Sequence, residues 1–457
     1  MILKRKIEAE INAYFTSHST KMMIIDGARQ VGKSFVIRRL GRQQFANYIE
    51  INMEADKLGD RLFAEAKTVK DFYLALSIVA GDRMKERENT LVFIDEIQAY
   101  DHLLTLVKFL MQDQRFTYIA SGSLLGITLK KTQSIPIGSI VRKHMYPLDF
   151  EEFLWANGVA PAFVNSLRQA WHDRATLPQG IHDKMMAFFR TYLLTGGMPD
   201  AVSTYLTTQN ITETRQIQTD IHDLYGDDAA KYEKAASRKL KIMRIYQMIP
   251  SNMENRKKRI VAKDIEGKQG KRMNDYLDEF EYLISSGVAL EVKAVSKPSF
   301  PLMQNSGKNL LKLYLNDVGL LTSVLYGRNV MPILRDERSV NLGAVYESVV
   351  AQELKAHGHD LYYYDNKKLG EVDYLTDDQQ RLSVLPIEVK SGKDYTVHSA
   401  LDRFLSIEEY HVAECLVFSN ERRVWHERGI TYLPIYFIIL KSATIIQYTI
   451  KGRFMSR

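Results

Sequence analysis

The sequence contains a single cysteine, Cys415, in 457 residues. One thiol cannot form an internal disulfide or a cysteine-based zinc site, and such a composition is typical of a cytoplasmic protein, which is the location we expect. Long apolar segments are also missing, because the longest run near the C-terminus, residues 433–440, is far shorter than the roughly 20 residues of a membrane span. The first 30 residues do not show the pattern of a signal peptide, which is a charged segment, then an apolar segment, then a cleavage site of small residues. We therefore expect neither secretion nor membrane insertion.

Hydrophobic residues make up 45% of the chain and charged residues 26%. This balance excludes a wholly disordered chain, and the length favours two to four domains at roughly 100–200 residues each. The sequence shows no internal repeat and no low-complexity tract. The net charge of +7 and the pI of about 9.0 give a mild preference for anionic partners.

Most of the positive excess is concentrated between residues 256 and 272, where only Asp264 and Glu266 oppose eight basic residues. In winged-helix domains, which the order of elements described below predicts for this region, basic residues contact nucleic-acid phosphates. We therefore predict that residues 256–272 contact nucleic acid. The alternatives are a solvated charged loop and a surface for an acidic partner. The basic residues are Arg256, Lys257, Lys258, Arg259, Lys263, Lys268, Lys271 and Arg272.

The first 150 residues alternate short apolar runs with helical patterns. We expect strands at 22–25, 48–51, 91–94 and 116–120, and because these are apolar through most of their length they predict a parallel sheet covered on both faces. Residues 149–248 are helical in pattern.

The order of elements at 259–316, helix, helix, strand, strand, fits a winged helix-turn-helix, with the strands at 288–295 and 311–315. The last block predicts a helix at 344–357, a helix at 400–410 and strands at 361–364, 371–376, 382–389 and 414–418.

Residues 27–34 form a complete phosphate-loop pattern, GxxxxGK[ST], between a predicted strand and a predicted helix. The glycines let backbone N–H groups face phosphates at a helix N-terminus, while Lys33 is predicted to reach the β and γ phosphates and Ser34 to ligate Mg²⁺. We therefore expect ATP and Mg²⁺, with nucleotide contacts from Gly27, Ala28, Arg29, Gln30, Val31, Gly32, Lys33, Ser34 and Phe35. The alternative is a glycine-rich turn with an accidental lysine.

A buried strand delivers Asp95 and Glu96 to the same edge of the sheet. Asp95 is predicted to hold Mg²⁺ directly or through water, and Glu96 to orient and polarise the attacking water. Ser121 and Ser123, at the end of the next strand, are candidates for a γ-phosphate contact and are counted with Lys33 and Glu96 as catalytic. For Asp95 and Glu96 the alternative is a solvated acidic strand end. For Ser121 and Ser123 the alternative is a turn of small residues. Arg142 could contact phosphate in its own or a neighbouring subunit, or be solvated.

The sequence resembles the AAA-type ATPases of bacteria and archaea that carry a C-terminal domain of unknown function. This resemblance spans nearly the whole chain and implies an AAA+ core, a helical lid, a winged-helix-like segment and a nuclease-like C-terminal fold. Family members often have Gly-Arg before the Pro-Leu segment, whereas this chain has Gly138-Ser139, so an arginine finger is not assigned. Besides the phosphate loop, the matching segments are LVFIDEIQ at 91–98, SGS at 121–123, YPLDFEEF at 146–153, GGMP at 196–199 and LYLNDVGL at 313–320.

The C-terminal part places Glu347 on a predicted helix, Asp373 in a strand, and Glu388 and Lys390 two positions apart on another strand. This pattern resembles the PD-(D/E)XK nuclease fold, although Val372 precedes Asp373 where the pattern has proline. The two-residue spacing puts Glu388 and Lys390 on one face. A second metal site with Lys390 activating water is therefore expected. The alternative is a salt-bridge network.

The predicted fold class is α/β, with a P-loop AAA+ parallel sheet, a helical lid, a winged-helix-like middle and a restriction-endonuclease-like C-terminal domain. The expected domains are a P-loop AAA+ ATPase domain at 1–150, the lid at 151–250, the winged-helix-like segment at 251–335 and the nuclease-like domain at 336–457. The leading hypothesis is an ATP-hydrolysing AAA-type switch or motor with a recognition domain, open to homo-oligomerisation. The alternatives are an ATP-gated metal-dependent DNA or RNA endonuclease and a non-catalytic nucleotide-binding interaction module.

Overall fold

The computed structural model describes residues 1–123, 137–228, 235–255, 258–267, 269–305, 311–335, 342–392 and 396–442. The helices of these ranges are α1 Ile7–Thr16, α2 Lys33–Gln44, α3 Met53–Leu58, α4 Val69–Ala80, α5 Asp101–Asp113, α6 Phe150–Ala156, α7 Pro161–His172, α8 Gln179–Thr195, α9 Pro199–Thr208, α10 Ile211–Asp228, α11 Ala236–Glu254, α12 Ala262–Glu266, α13 Leu277–Ser285, α14 Val318–Tyr326, α15 Met331–Leu334, α16 Gly343–Ala356 and α17 Ser399–Leu405.

The strands are β1 Met22–Asp26, β2 Asn47–Asn52, β3 Thr90–Asp95, β4 Thr117–Gly122, β5 Ile140–His144, β6 Ala289–Val295, β7 Leu311–Leu315, β8 Tyr362–Asn366, β9 Gly370–Asp378, β10 Ser383–Val389, β11 Cys415–Ser419, β12 Trp425–Glu427 and β13 Ile430–Pro434. Within the described ranges, no helix has both the length and the apolar character needed to cross a bilayer. The described structure divides into two compact units.

The first unit comprises Met1–Phe163, Phe188–Glu291 and Leu313–Glu337 and is built on a five-stranded sheet in the order β2-β3-β4-β1-β5. Every strand pair in it is parallel, which confirms the predicted parallel sheet and the α/β class. β1 and β3 are buried at every residue, since side chains of α4 and α5 pack on one face and α2 on the other.

One strand of this sheet, β5, has no counterpart in the sequence expectations. It has two apolar residues followed by three basic ones, and its residues are half-buried or exposed because it forms the edge next to β1. The burial pattern of an edge strand lacks the continuous apolar run that identifies its neighbours. Sequence periodicity therefore gave no basis for including it.

The helical pattern predicted for residues 149–248 corresponds to α6 to α11, interrupted by a turn at Gly196 and Gly197. The backbone N–H of Gly197 donates to Asp317 Oδ2 at 2.6 Å, and the N–H of Leu320 donates to Asp317 Oδ1 at 3.0 Å. A Cβ atom on Gly197 would lie 2.0 Å from the carbonyl oxygen of Leu148. The turn therefore depends on a glycine and on one fully buried carboxylate.

The second unit comprises Val164–Ala187, Val292–Lys312 and Arg338–Arg457. It contains most of a mixed eight-stranded sheet in the order β12-β13-β11-β10-β9-β8-β6-β7. Strands β8, β9 and β10 are antiparallel neighbours, while β11 lies parallel to β10 on one side and to β13 on the other. Leu401 and Phe404 of α17 pack into the same apolar cluster as Val417 of β11.

The segment predicted as winged-helix-like contains α12, α13, β6 and β7 in the expected order. Strand β6 pairs in parallel with β8, and β7 lies next to β6. Strands β6 and β7 are therefore part of the eight-stranded sheet. The predicted winged-helix fold did not include the pairing of β6 with β8. The winged-helix-like nature of this segment stays a prediction.

We expect Asp317→Ala to lower the free energy of unfolding by about 2–4 kcal/mol, because it leaves the buried amides of Gly197 and Leu320 without an acceptor. Hydrogen exchange should become faster at both amides. The matched control is Asp220→Ala, an exposed aspartate on α10, which should change stability by no more than about 0.5 kcal/mol. Unchanged protection of Gly197 in the Asp317 variant would contradict the role of this carboxylate.

Candidate functional site

The loop between β1 and α2 turns sharply at two glycines. Gly27 has a φ of +136° and Gly32 a φ of +94°, conformations that residues with a side chain rarely adopt. A Cβ atom on Gly27 would also lie 2.2 Å from the carbonyl oxygen of Met145. The loop leads directly into the N-terminus of α2, which begins at Lys33. Backbone N–H groups at such a terminus favour an anion.

The ammonium group of Lys33 lies inside this loop. Its Nζ donates to the carbonyl oxygens of Gly27, at 2.9 Å, and Ala28, at 2.7 Å. Burial lowers the pKa of Lys33 to about 8, against the opposing attraction of the Glu96 and Asp95 carboxylates. Because both hydrogen-bond partners are uncharged carbonyls, a phosphate group would give the buried ammonium a charged hydrogen-bond partner.

Asp95 joins the loop helix to three strands of the sheet. The Ser34 hydroxyl donates to both Asp95 oxygens at 3.0 Å, the Ser121 hydroxyl donates to Oδ1, and the Asn52 amide lies 3.5 Å from Oδ2. Burial raises the pKa of Asp95, and the hydrogen bond from Ser121 opposes that shift. Ser34, Asp95 and Ser121 were expected here, whereas Asn52, which ends β2 in register with Asp95, was missed.

Glu96 follows Asp95 in a left-handed conformation, with a φ of +51°. Its Oε2 accepts hydrogen bonds from the Gln98 side-chain amide, from the Ser123 hydroxyl at 3.1 Å and from the Ser123 backbone N–H at 3.4 Å. The structure therefore brings the predicted pair Glu96 and Ser123 together. Gln98 was not predicted as a site residue. Its polar side chain, two positions after Glu96, was the one sequence feature that could have indicated this contact.

Arg142, the candidate phosphate contact on β5, is paired with Asp26 through Nε and Nη2. His144 Nδ1 lies 2.9 Å from the other oxygen of Asp26. Burial alone would raise the pKa of Asp26, but the hydrogen bond and charge of His144 and the charge of Arg142 hold it below the ordinary value. In this structure Arg142 therefore links β5 to Asp26, the last residue of β1, which directly precedes the loop.

The remaining loop residues are held from outside the loop. The Tyr225 hydroxyl donates to the carbonyl of Arg29 at 2.6 Å, and the buried guanidinium of Arg5 donates to the carbonyl of Val31 at 2.8 Å. Arg5 was not predicted as a site residue, because no local sequence pattern indicates a contact with a residue 26 positions away. Both contacts fix the carbonyl groups on the outer side of the loop.

A cavity of about 280 Å³ opens beside the loop. Gln30 and Phe35, both expected nucleotide contacts, line it together with Gly32. Leu3 and Pro199 also face this cavity, from the N-terminal segment and from the start of α9. Its size is close to the lower limit of about 300 Å³ for small-molecule pockets.

The second predicted cluster also comes together in the fold. Glu347 lies buried on α16, Asp373 on β9, and Glu388 and Lys390 at the end of β10. Asp373 Oδ2 accepts from the backbone N–H of Val389 at 2.9 Å, and Lys390 Nζ donates to Glu388 Oε1 at 2.8 Å. The four side chains therefore share one end of the β9–β10 pair.

The charges of this cluster act on Lys390. Burial would lower its pKa, but the carboxylates of Glu388, Asp373 and Glu347 raise it above the ordinary value. Glu388 Oε2 is buried and has no hydrogen-bond partner among the residues that the structure describes. Among the described residues, Glu347, Asp373 and Glu388 are not a group whose ligand atoms all lie within 4.8 Å of one another.

The basic stretch at 256–272 is described only in part. Lys263, on α12, and Lys271 and Arg272 are exposed. Lys258 and Arg259 are half-buried. Arg256, Lys257 and Lys268 lie outside the described residues.

Comparison with known families assigns the first part of the chain. Residues 19–154 match the model of the family AAA_14, described as an AAA domain. Residues 186–329 match a "Domain of unknown function (DUF8612)", and residues 342–438 match a "Domain of unknown function (DUF4143)". No curated protein gives a significant match. The segment that matches the AAA domain contains the whole of the Lys33–Asp95–Glu96 site.

Several solved structures are similar at low identity. The Walker-type ATPase PABY2304 of Pyrococcus abyssi is 15% identical, with a TM-score of 0.42 over 73% of this chain and 96% of that chain. The RuvB Holliday junction branch migration motor of Thermotoga maritima is 14% identical, with a TM-score of 0.27 over 63% and 89%. The S. cerevisiae Hsp104–ADP complex is 11% identical, with a TM-score of 0.28 over 63% and 38%.

We expect Gly27→Ala to destabilise the first unit by at least about 2 kcal/mol, because the methyl group would meet Met145 and the backbone would be strained. Thermal unfolding should show a lower midpoint. The matched control is Gly138→Ala, which has open space around its Cβ position and no positive φ. Equal midpoints for the two variants would show that the loop tolerates a side chain at Gly27.

Proposed function

We propose that this chain binds ATP with Mg²⁺ at the β1–α2 loop and hydrolyses it to ADP and phosphate. The observation that carries the proposal is the convergence of Lys33, Ser34, Asp95, Glu96 and Ser123 at the carboxyl end of the parallel sheet. These groups come from α2, β3 and β4, so only the folded sheet assembles them. An ATP-driven switch or motor is the role that fits this site.

The chain's own residues supply the binding step. The loop N–H groups and the buried ammonium of Lys33 form a cationic cradle, and Lys33 would exchange its carbonyl partners for the β and γ phosphates. A bound Mg²⁺ would neutralise the phosphate oxygens. The oxygens of Ser34 and Asp95 fit such an ion, because hydroxyl and carboxylate are its preferred ligands and they already lie 3.0 Å apart.

Glu96 is the residue proposed to orient the attacking water. One of its oxygens is engaged by Gln98 and Ser123, so its position depends on the end of β4. Ser123 hydrogen-bonds to Glu96, and its proposed role is to contact the γ-phosphate as well, which would couple the position of Glu96 to phosphate binding. Ser121 holds Asp95 and acts on the phosphate through that carboxylate.

We expect Lys33→Ala to weaken ATP binding by about 10- to 100-fold, since a charged hydrogen-bond donor is lost. Glu96→Gln should bind ATP normally and release phosphate at least about 100-fold more slowly, because general-base catalysis contributes about that much. Calorimetry and a phosphate-release assay would measure the two steps. Glu86→Gln, at an exposed position, is the control with unchanged turnover. Full turnover by the Glu96 variant would remove that residue from the mechanism.

A second candidate function concerns the C-terminal cluster of Glu347, Asp373, Glu388 and Lys390. The observation that favours it is the buried Glu388 Oε2 beside Lys390, which has no hydrogen-bond partner in the described part of the chain and which a divalent cation would satisfy. The carboxylates are too dispersed for immediate ligation. We infer that a cation would bind only if the Lys390–Glu388 contact opens, which would release Lys390 to activate water for phosphodiester cleavage as in a PD-(D/E)XK nuclease.

Titration of the full chain with Mn²⁺ in the absence of nucleotide would test this candidate. We expect heat at sub-millimolar to millimolar Mn²⁺ that disappears in Asp373→Asn, which keeps an acceptor for the Val389 N–H while removing the charge. Glu427→Gln, exposed on β12, should leave the heat unchanged. Absence of heat at millimolar metal would identify the cluster as a structural ion-pair network.

Several expectations stay predictions. The four-domain division, the restriction-endonuclease-like fold of residues 336–457 and the cytoplasmic location are among them. The same holds for nucleic-acid binding by residues 256–272 and for a homo-oligomer. The Lys263, Lys271 and Arg272 side chains are exposed, which is compatible with an anionic partner.

A further inference from the structure

The phosphate loop carries a second cation, Arg29, whose guanidinium the proposed reaction does not use. Its Nη2 lies 3.5 Å from Glu54 Oε2, and the two side chains are 24% and 26% exposed. Glu54 is in the first turn of α3, the short helix that directly follows β2. The sequence motifs of the site gave this carboxylate no role, so its contact with the loop is a finding of the structure.

This ion pair crosses the edge of the sheet at which the site lies. Arg29 follows the end of β1 and Glu54 follows the end of β2, and in the strand order β2-β3-β4-β1 two other strands lie between them. Neighbouring strands are about 4.8 Å apart, so the pair connects strand ends that are roughly 14 Å apart. It therefore passes the ends of β3 and β4, where Asp95, Glu96 and Ser123 are located.

The charge of Arg29 also acts on Lys33. Burial lowers the pKa of Lys33 to about 8, and the Arg29 charge adds to this lowering, whereas the Glu96 and Asp95 carboxylates oppose it. Two cations that repel each other are both stabilised by an anion beside them. The proposed function places the γ-phosphate between Lys33 and Glu96, so the phosphate would attract the guanidinium as well as the ammonium.

The helix that carries Glu54 is anchored to the same part of the sheet. Asn52 caps the start of α3, and its side-chain amide lies 3.5 Å from Asp95 Oδ2. Lys57 Nζ, near the end of the helix, donates to the carbonyl of Ala99 at 2.7 Å. These contacts hold α3, and with it the Glu54 carboxylate, in place. The long arginine side chain is therefore the member of the pair that can change partner.

We infer that Glu54 is a positioning residue that competes with the γ-phosphate for the Arg29 guanidinium. A partly exposed ion pair is weak, and a phosphate carries more negative charge and can bind a guanidinium through two oxygens, so it displaces the carboxylate. ADP has no γ-phosphate and leaves the pair intact. Glu54 therefore lowers the affinity for ATP without changing the affinity for ADP. This inference rests on the proposed ATP site and adds a residue that sets its preference between the two nucleotides.

Calorimetric titration of the full chain with Mg²⁺ and either ADP or the non-hydrolysable β,γ-imido analogue of ATP tests the inference. We expect Glu54→Gln to bind the analogue about two- to fivefold more tightly and ADP unchanged, because the competing charge is lost. Arg29→Ala should weaken the analogue about tenfold and affect ADP less. The double variant should bind both ligands as Arg29→Ala does, since Glu54 acts only through Arg29.

The matched control is Glu65→Gln, which removes an exposed ion pair of the same length, 3.5 Å to Lys67, and should leave both affinities unchanged. Equal or weaker binding of the analogue by Glu54→Gln would overturn the inference. So would a tightening that persists in the Arg29→Ala background, which would show direct repulsion of the phosphate, or a parallel change for ADP, which would show a structural role. These outcomes leave the ATP site intact. Failure of the unmodified chain to bind either nucleotide would overturn the proposed function and this inference with it.

Discussion

The structure of the first unit depends on the Asp95 carboxylate. It ends β3 and accepts hydrogen bonds from Ser34 on α2 and Ser121 on β4, with the Asn52 amide of β2 3.5 Å away. One buried group thus fixes the loop helix against three adjacent parallel strands. Burial of a carboxylate is unfavourable without such partners, and here the hydroxyl groups compensate for it. The same oxygens that hold the fold together are the ones placed to face a cation.

A second set of buried charges holds the loop from the opposite side. Arg5 lies 3.1 Å from Glu152, and its other nitrogens donate to the carbonyls of Val31 and Tyr146. Glu152 in turn forms a capping box with Asp149 at the start of α6. Removing one member would leave a buried charge without its partner, which is the costly way to break such a pair. The N-terminal segment is therefore part of the site, although it contributes none of the expected phosphate contacts.

Sequence reasoning captured the elements whose signal is local. The phosphate loop, the strand before Asp95 and Glu96, and the serines after β4 follow from motifs and apolar runs, and the structure assembles them as expected. The same is true of the α16, β8, β9 and β10 order in the second unit. Strands β12 and β13 were missed, since β12 has only three residues and its pairing partner follows within a few positions.

The residues that sequence reasoning missed act over long separations. Arg5 reaches Val31 and Glu152, and Asp317 reaches Gly197 across 120 positions. Periodicity and capping patterns describe only neighbours in the chain, so they cannot indicate which polar groups will be buried together. Asn52 and Gln98 are different, because both stand next to recognised elements. Their roles follow from strand register and turn geometry, which the fold supplies.

The buried Lys33 and the half-buried Lys390 show why the site of the first unit is the leading functional candidate. Within the described residues, the hydrogen-bond partners of Lys33 are carbonyl groups only, and burial lowers its pKa to about 8. Lys390 has the Glu388 carboxylate as a partner, and nearby acidic charges raise its pKa despite burial. A buried lysine that hydrogen-bonds to uncharged carbonyls favours the arrival of an anion, whereas a lysine that hydrogen-bonds to a carboxylate must first lose that partner. The first arrangement is therefore ready for a phosphate ligand, and the second requires a rearrangement before any catalysis.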